Sequence, residues 1–330
     1  VPGVMQTDSL EDLAPRIGSD DLRDKFISGV WESVSDGDSI YAMPWDIGPT
    51  AVYYRRDVFE QAGISVDDIE TWDDFISEGD KLDEETSLIS LAPNEYANTW
   101  RFLFRQLGGE PFTEDGAVNI HSEKAVRAAK LMKDMKEAGV ANTSSGWTQN
   151  WFSNFKSGST ASVAMGAWFS GTLKSELSDT SGQWGMFKLP AFEKGGNRAS
   201  KNGGSSLVIP KQLNNAETNR AWDFTKFATA NPEIMAKTYG EYGNFPAFKQ
   251  VYDNEAFKRE DEFFGGQRVG SLLTEVARDI PSYRFTPDTT TVSDAVTRYV
   301  RKMMNDDLSP RDAMKQAAEQ VSRKTDRELA

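Results

Sequence analysis

Residues 37 to 64, with the sequence GDSIYAMPWDIGPTAVYYRRDVFEQAGI, are the most informative segment for the fold. It predicts a strand, an irregular link, a second strand and a short helix. The link carries Trp45 and Asp46 between Pro44 and Pro49. An ordinary connector would use polar turn residues. An aromatic ring beside a carboxylate at a strand end therefore favours a position that contacts a ligand.

Length and composition exclude several classes of protein. The 330 residues suit two domains, and a net charge of −14 argues against nucleic acid as a partner. The absence of cysteine excludes disulfides and thiolate nucleophiles and fits an exported bacterial protein. The single histidine, His121, excludes a metal site built on a pair of histidines, and we interpret it as a surface or capping residue. We expect neither a metal nor a cofactor.

Short strands alternate with amphipathic helices along the rest of the chain. This alternation predicts an α/β protein with a mainly parallel or mixed sheet. Thr71 with Asp74 forms a candidate capping box, and Ser309 before Pro310 is typical of a helix start. The expected helices include residues 21–34, 71–82, about 95–107, 123–138 and 215–230, and the expected strands include residues 39–45, 183–192 and 205–211.

Motifs for nucleotide binding and for common hydrolases are absent from the sequence. It contains neither the G-x-G-x-x-G nor the Walker pattern, and no G-x-S-x-G elbow. The acidic turn SDGDS lacks the spacing of a calcium loop. The 51 acidic residues are enough for a pair of catalytic carboxylates like that of a glycosidase, so this alternative stays open. No spacing in the sequence points to such a pair.

Aromatic residues lie beside polar residues at several element ends. A flat ring offers an apolar face to the C–H face of a sugar, and neighbouring polar groups can bond its hydroxyls. This favours a saccharide pocket. For Trp31, Trp72 and Trp222, which lie on amphipathic helices, the core interpretation is favoured. The candidate groups are Trp45 with Asp46, Tyr96 to Trp100, Trp147, Trp168, Tyr239 to Tyr242, and Tyr283 with Arg284.

Five segments in order resemble the extracellular solute-binding proteins of bacterial ABC importers, in the oligosaccharide-binding branch of family 1. The match covers nearly the whole chain. The segments are YAMPWDIGPTAVYYRRDVFEQAGI, NEYANTWRFLFRQLGGEPF, FKSGSTASVAMGAWF, GGSSLVIPK with AWDFTKFAT, and LSPRDAMKQAAEQV.

The resemblance implies a type II periplasmic-binding-protein fold, with two α/β lobes joined by a hinge and a ligand cleft between them. We expect an N-terminal lobe from residues 1–47 and 206–255 and a C-terminal lobe from residues 51–203 and 256–330. The hinge crossings are expected near residues 47–51, 204–206 and 250–256. The link that carries Trp45 and Asp46 would then line the cleft.

The resemblance also implies ligand contacts. Asp8 matches a contacting aspartate, Trp168 matches a sugar-stacking tryptophan, and the segment from Tyr96 to Asn98 matches one with a contacting tyrosine. At Gly48 the maltose-binding pattern has a carboxylate, which argues against maltose. The full expected set is Asp8, Trp45, Asp46, Tyr96, Asn98, Trp168, Tyr239, Glu241, Tyr242, Tyr283 and Arg284.

On the family pattern a strand–helix–strand precedes VPGVMQTDS, so we expect the N-terminal lobe to be incomplete in this sequence. A signal segment and a lipid-anchored cysteine would belong to that preceding part. The expected location is extracellular, periplasmic or lipid-anchored at the cell surface. The expected partners are a small carbohydrate and the permease subunits of an ABC transporter, with the protein itself a monomer.

The sequence thus favours a non-enzymatic subunit that binds a neutral saccharide for an ABC importer. A binder of a charged solute is the first alternative, and it needs a cluster of Arg or Lys in the cleft, whereas Arg284 alone stands out. A glycoside hydrolase or lyase is the alternative from another class, and it needs two carboxylates facing each other. A sensory module with the same fold stays open as well.

Overall fold

The computed structural model describes residues 2–5 and 7–330. The strands are β1 Ser35–Asp36, β2 Ser39–Ile40, β3 Met43–Pro44, β4 Thr50–Arg55, β5 Ile89–Ser90, β6 Ala141–Asn142, β7 Ser162–Gly166, β8 Trp184–Lys188 and β9 Ser206–Leu207. The helices are α1 Pro2–Met5, α2 Ala14–Ser19, α3 Arg56–Ala62, α4 Trp72–Glu78, α5 Tyr96–Gln106, α6 Glu123–Glu137, α7 Gln149–Ser157, α8 Phe169–Glu176, α9 Asn215–Ala230, α10 Pro232–Tyr242, α11 Val269–Arg278, α12 Thr289–Met304 and α13 Pro310–Thr325.

A three-stranded antiparallel sheet has the order β7-β4-β8. Its central strand, β4, is the second strand predicted within residues 37–64. Val52 of β4 pairs with Ala164 on one side and with Phe187 on the other. The expectation of mainly parallel strands is wrong for this sheet. The parallel pair of β5 and β6 forms a separate two-stranded sheet, so none of the described sheets is mixed.

Successive side chains of a strand point to opposite faces of a sheet. Both faces of this sheet are buried, each against a different core. Val52 belongs to a first core that also contains Trp100, Phe104, Met132 and Met314 of the helices α5, α6 and α13. This explains why β4 is almost continuously apolar rather than alternating.

The other face of the sheet contributes to a second core. Tyr53 belongs to it with Trp31, Phe169, Trp184 and Phe248. These residues come from both expected lobes, so the lobe boundaries stay a prediction.

Local helix signals are confirmed where they are strong. The Thr71 hydroxyl accepts from the Asp74 N–H, and the Asp74 carboxylate accepts from the Thr71 N–H, which completes the capping box. Ser309 caps α13, with Pro310 at its first position. The expected helices 95–107 and 215–230 are present as α5 and α9.

Other local predictions are wrong. The helix expected at residues 21–34 is instead a pair of 3-10 segments, Arg23–Lys25 and Ser28–Ser33, with Gly29 in the second. Tertiary contacts hold this region, because Trp31 is buried and its indole N–H donates to the Arg23 carbonyl. The strand expected at 39–45 divides into β2 and β3, and those at 183–192 and 205–211 shorten to β8 and β9.

The link after β3 is hydrogen-bonded on both sides. The Trp45 N–H donates to the Ser205 carbonyl at 2.9 Å, and the Ala247 N–H donates to the Trp45 carbonyl at 3.0 Å. Farther along, the Thr50 N–H donates to the Ser200 carbonyl at 2.9 Å. Residues 45–50 therefore run between residues 200–205 and 245–247, and this arrangement positions the candidate site.

None of the helices in the described part of the chain combines the length and the apolar character that crossing a bilayer requires.

Candidate functional site

Residues 45–50 together with residues 200–206 are called the crossing below. Trp168 lies against the crossing, and glycine residues there let the backbone approach its ring closely. Its indole Nε1 donates to the Asn202 carbonyl at 2.9 Å. A Cβ on Gly48 would lie 1.8 Å from the Asn202 carbonyl oxygen, and one on Gly203 would lie 2.8 Å from Trp168 Nε1. Glycine at both positions therefore lets the backbone hold the edge of this indole in place.

Trp147 stacks on Trp168. The ring centroids are 5.7 Å apart with 26° between the planes. Trp147 is 40% exposed, and its φ of +65° lies in the left-handed region that a bulky residue rarely adopts. A strained, exposed tryptophan held in a stack is typical of a ligand contact rather than of core packing.

A polar row that starts at Glu95, directly before α5, and follows that helix continues from this pair of rings. The Trp147 Nε1 donates to Glu95 Oε1 at 2.8 Å, and Asn98 Nδ2 donates to Glu95 Oε2 at 2.7 Å. Arg101 in turn donates to the Asn98 side-chain oxygen. Positions 95, 98, 101 and 105 share one helix face, because residues three and four apart are neighbours on a helix. The row leads from the rings to an open pocket.

The pocket has a volume of about 440 Å³ and lies between α5 and the crossing. Its two walls have different chemistry, because α5 contributes guanidinium groups and the crossing contributes glycine and serine backbone together with one lysine. The lining residues are Arg101, Arg105, Lys201, residues 203–206, Ser33, Val34 and Phe285.

Arg105 is buried in the pocket wall at 4% exposure. Its guanidinium carbon lies 4.3 Å from the centroid of the Tyr283 ring. Its Nε has no hydrogen-bond partner, and the guanidinium donates no hydrogen bond to any residue that the structure describes. Burial lowers the pKa of Arg105 to about 10, and the charge of Arg101 acts in the same direction.

Lys201 faces the same pocket from the crossing. Burial lowers the pKa of Lys201 to about 7, the charges of Arg105 and Arg101 lower it further, and Asp46 opposes them. Asp46 is itself buried, and its carboxylate accepts the Ser205 N–H. The pocket therefore presents three basic side chains, none of which forms an ion pair with a carboxylate that the structure describes.

Part of the residue set predicted from the sequence lies at this site. Trp168 is in the stack, Asn98 is in the polar row, and Asp46 is beside Lys201. Trp45 is half-buried and packs against the second core. Tyr283 is buried, with its ring beneath Arg105.

Other predicted residues are not brought to the pocket. Asp8 is exposed and forms an ion pair with Lys211. Tyr96 is 3% exposed in the first core, so its ring has no free face to offer. Arg284 pairs with Glu110 at 3.6 Å and lies outside the pocket wall.

The segment from Tyr239 to Tyr242 lies elsewhere too. Tyr239 and Glu241 line a separate cavity of about 20 Å³, which has room for about one water molecule. Tyr242 is 62% exposed and lines neither space. By contrast, Trp31, Trp72 and Trp222 are buried, as predicted, although Trp31 lies in a 3-10 segment rather than in the expected helix.

Sequence reasoning missed four residues of the site as binding residues: Glu95, Arg101, Arg105 and Lys201. It named Trp147 as a candidate aromatic but left it out of the final expected set. The helical spacing of Glu95, Arg101 and Arg105 was visible, but nothing local showed which face of α5 meets the crossing. Trp147 stood out as an aromatic in a loop, without a known neighbour. Among the described residues no group of three His, Cys, Asp or Glu side chains could hold a metal ion.

Comparison with known proteins agrees with this architecture. A family model described as bacterial extracellular solute-binding protein matches residues 1–265. The arabinooligosaccharide-binding protein of Bacillus subtilis (strain 168) is 28% identical over 326 residues, which is 96% of this chain and 74% of that protein. The lactose-binding protein of Rhizobium radiobacter is 31% identical over 265 residues, which is 78% of this chain and 62% of that protein.

Solved structures show the same fold. The ABC transporter associated binding protein from B. animalis subsp. lactis Bl-04, in complex with β-1,6-galactobiose, superposes with a TM-score of 0.84 at 24% identity, covering 98% of this chain and 82% of that one. The GacH receptor of Streptomyces glaucescens gives a TM-score of 0.82 at 18% identity, covering 99% and 82%. These likenesses confirm the predicted two-lobe binding-protein fold.

Proposed function

The chain belongs to the family of bacterial extracellular solute-binding proteins, and we propose that it is the saccharide-binding subunit of an ABC importer. The saccharide lies on the rings of Trp147 and Trp168 and extends along α5 into the pocket. Binding closes the two lobes, and the closed form delivers the ligand to the permease subunits in the membrane.

The observation that carries the proposal is the stack of Trp147 on Trp168. Two nearly parallel indoles at the end of a polar row offer an apolar surface for a sugar ring, with hydrogen-bonding groups beside it. The names of the arabinooligosaccharide-binding and lactose-binding relatives support a saccharide as the ligand.

We further propose that the ligand is released unchanged. Two carboxylates beside the rings and the pocket are both engaged: Glu95 by Trp147 and Asn98, and Asp46 by the Ser205 N–H. A glycoside hydrolase needs one free carboxylic acid and one free carboxylate across the cleft. We propose that the protein acts as a monomer outside the cytoplasmic membrane, where the permease receives its ligand.

The test is calorimetric titration of the full chain with neutral oligosaccharides of arabinose, galactose and glucose and with their acidic counterparts. Trp147→Ala is expected to weaken binding by about tenfold or more, because it removes the exposed ring of the stack. Phe224→Ala is the matched control, since Phe224 is an aromatic at 64% exposure on α9.

Chromatography of the recovered ligand completes the experiment. An intact saccharide supports a binding subunit, whereas shortened products contradict it. Failure of every saccharide in the panel to bind would overturn the proposed function.

A further inference from the structure

Three cationic side chains converge on the pocket beside the stacked rings. Arg101 and Arg105 project from one face of α5, and Lys201 projects from the crossing opposite. None of the three forms an ion pair with a described carboxylate. The whole chain carries a net charge of −14, so the cluster does not reflect a generally basic surface.

The carboxylates nearest to this cluster have other partners. Asp46 accepts the Ser205 N–H, and Glu110 pairs with Arg284 at 3.6 Å. Glu32 is exposed, and it accepts the Tyr283 N–H at 3.3 Å. None of these three carboxylates forms an ion pair with the cluster, although all three lie close enough to favour its charged form.

Among the three cations, Arg105 is the one for which the lack of an ion-pair partner matters most. It is 4% exposed, and its guanidinium donates no hydrogen bond within the described part of the chain. A buried cation without an ion-pair or hydrogen-bond partner is costly, and a neutral hydroxyl does not offset that cost. A ligand oxyanion does, since the planar guanidinium fork matches a carboxylate or phosphate through two parallel hydrogen bonds.

The surroundings also hold Arg105 in a geometry suited to an anion. The Tyr283 ring lies 4.3 Å from the guanidinium carbon and supports one face of its plane. Lys201 supplies a compact charge from the opposite wall, and Arg101 is oriented by the Asn98 side chain. The polar row on α5 joins this charged end to the stacked rings.

We propose that the saccharide bound by this protein carries an anionic group, a carboxylate, phosphate or sulfate, which Arg105 holds together with Arg101 and Lys201. The inference rests on the proposed function and narrows its substrate class, away from the neutral saccharide that the sequence alone favoured. The sugar ring occupies the surface of Trp147 and Trp168, and the oxyanion enters the pocket.

The test uses the full chain and matched pairs of probes that differ in charge alone or nearly so. The pairs are digalacturonate with its methyl ester, glucuronosyl-xylose with its methyl ester, and lactose phosphate with lactose. In at least one pair the acidic member is expected to bind about 100-fold more tightly, because a desolvated bidentate charge pair is lost in the neutral one. The uronates and the phosphate distinguish the source of the anion.

Variants assign the effect to the cluster. Arg105→Gln is expected to remove the preference for the acidic probe, whereas Arg311→Gln is expected to keep it. Arg311 is the matched control because it is exposed on α13 and paired with Glu123 at 2.8 Å. If thermal melting shows that Arg105→Gln does not fold, Arg101→Gln carries the test, since the described contact of the Arg101 side chain is with Asn98.

The outcomes separate this inference from the proposed function. Equal or tighter binding of the neutral member of every pair, or an unchanged preference in the folded arginine variants, overturns the anionic ligand. Binding confined to neutral saccharides overturns it too and leaves the proposed function intact. Binding of no saccharide from either panel overturns both.

Discussion

The indole of Trp147 lies on that of Trp168, 5.7 Å away and tilted by 26°, and its backbone is held at a φ of +65°. If Trp147 served folding alone, a smaller residue could replace it without loss of stability, because its backbone is strained and its ring is exposed. The stack instead forms one end of a continuous site whose other end is the cationic pocket beside the crossing.

The first prediction separates strain from binding at Trp147. Trp147→Gly is expected to change the free energy of unfolding by less than about 1 kcal/mol, because relief of the left-handed backbone offsets the lost ring contacts. The same variant is expected to lose saccharide binding. Chemical denaturation and calorimetry measure the two effects, and full retention of affinity would contradict the role of the ring.

The second prediction concerns the buried charge of Arg105. Arg105→Met is expected to raise the free energy of unfolding of the ligand-free protein by about 1 kcal/mol, since it removes a desolvated cation that has no hydrogen-bond acceptor among the described residues. Urea denaturation measures this. A clear loss of stability would show that contacts such as the one with Tyr283 make Arg105 a structural residue.

The third prediction is a pH dependence of binding. The pKa of Lys201 is about 7 in the free protein, lowered first by burial, so its ammonium form is progressively lost above that pH. Affinity for an anionic saccharide is therefore expected to fall as pH rises from about 6 to 9, by at most about tenfold per unit. Below this range it is expected to level off.

The charged groups around Lys201 allow the pH dependence of binding to be assigned to this residue. Arg101 and Arg105 face it, Asp46 opposes them, and the pKa of Arg105 is about 10, well above that of Lys201. Lys201→Met is expected to bind more weakly and to flatten the profile. A wild-type affinity that is constant between pH 6 and 9 would contradict the participation of Lys201.

The fourth prediction tests the crossing. Gly48→Ala is expected to destabilise the fold by about 3 kcal/mol or more, because its Cβ would lie 1.8 Å from the backbone oxygen of Asn202. Gly18→Ala is the control, since a Cβ there meets nothing within 4 Å and α2 favours alanine over glycine. Thermal melting compares the two, and equal melting temperatures would contradict the close packing of the crossing.

Sequence patterns predicted the features that depend on neighbours along the chain. The capping box of Thr71 and Asp74, the cap at Ser309 and the extents of α5 and α9 each rest on residues a few positions apart. Residues 21–34 have helical spacing as well, yet they form 3-10 segments, because Gly29 weakens the helix and tertiary burial of Trp31 determines the local backbone.

The chemistry of the site could not be predicted in the same way. The cationic pocket depends on contacts between α5 and residues distant in sequence, Lys201 and Tyr283, and periodicity does not show which helix face they cover. Arg284 stood out from the sequence for its tyrosine neighbour, but it is engaged by Glu110, whereas Arg105 lay unnoticed among apolar residues of α5. The lobe boundaries and the expected incompleteness of the N-terminal lobe stay predictions.

The most direct test of the central claim is a crystal structure of the chain with the tightest-binding saccharide from the two panels. We expect a sugar ring on the exposed face of Trp147, beside Trp168, with the saccharide extending along α5 toward Arg105. Density for the saccharide in the cavity beside Tyr239, or anywhere without contact to these two indoles, would contradict it.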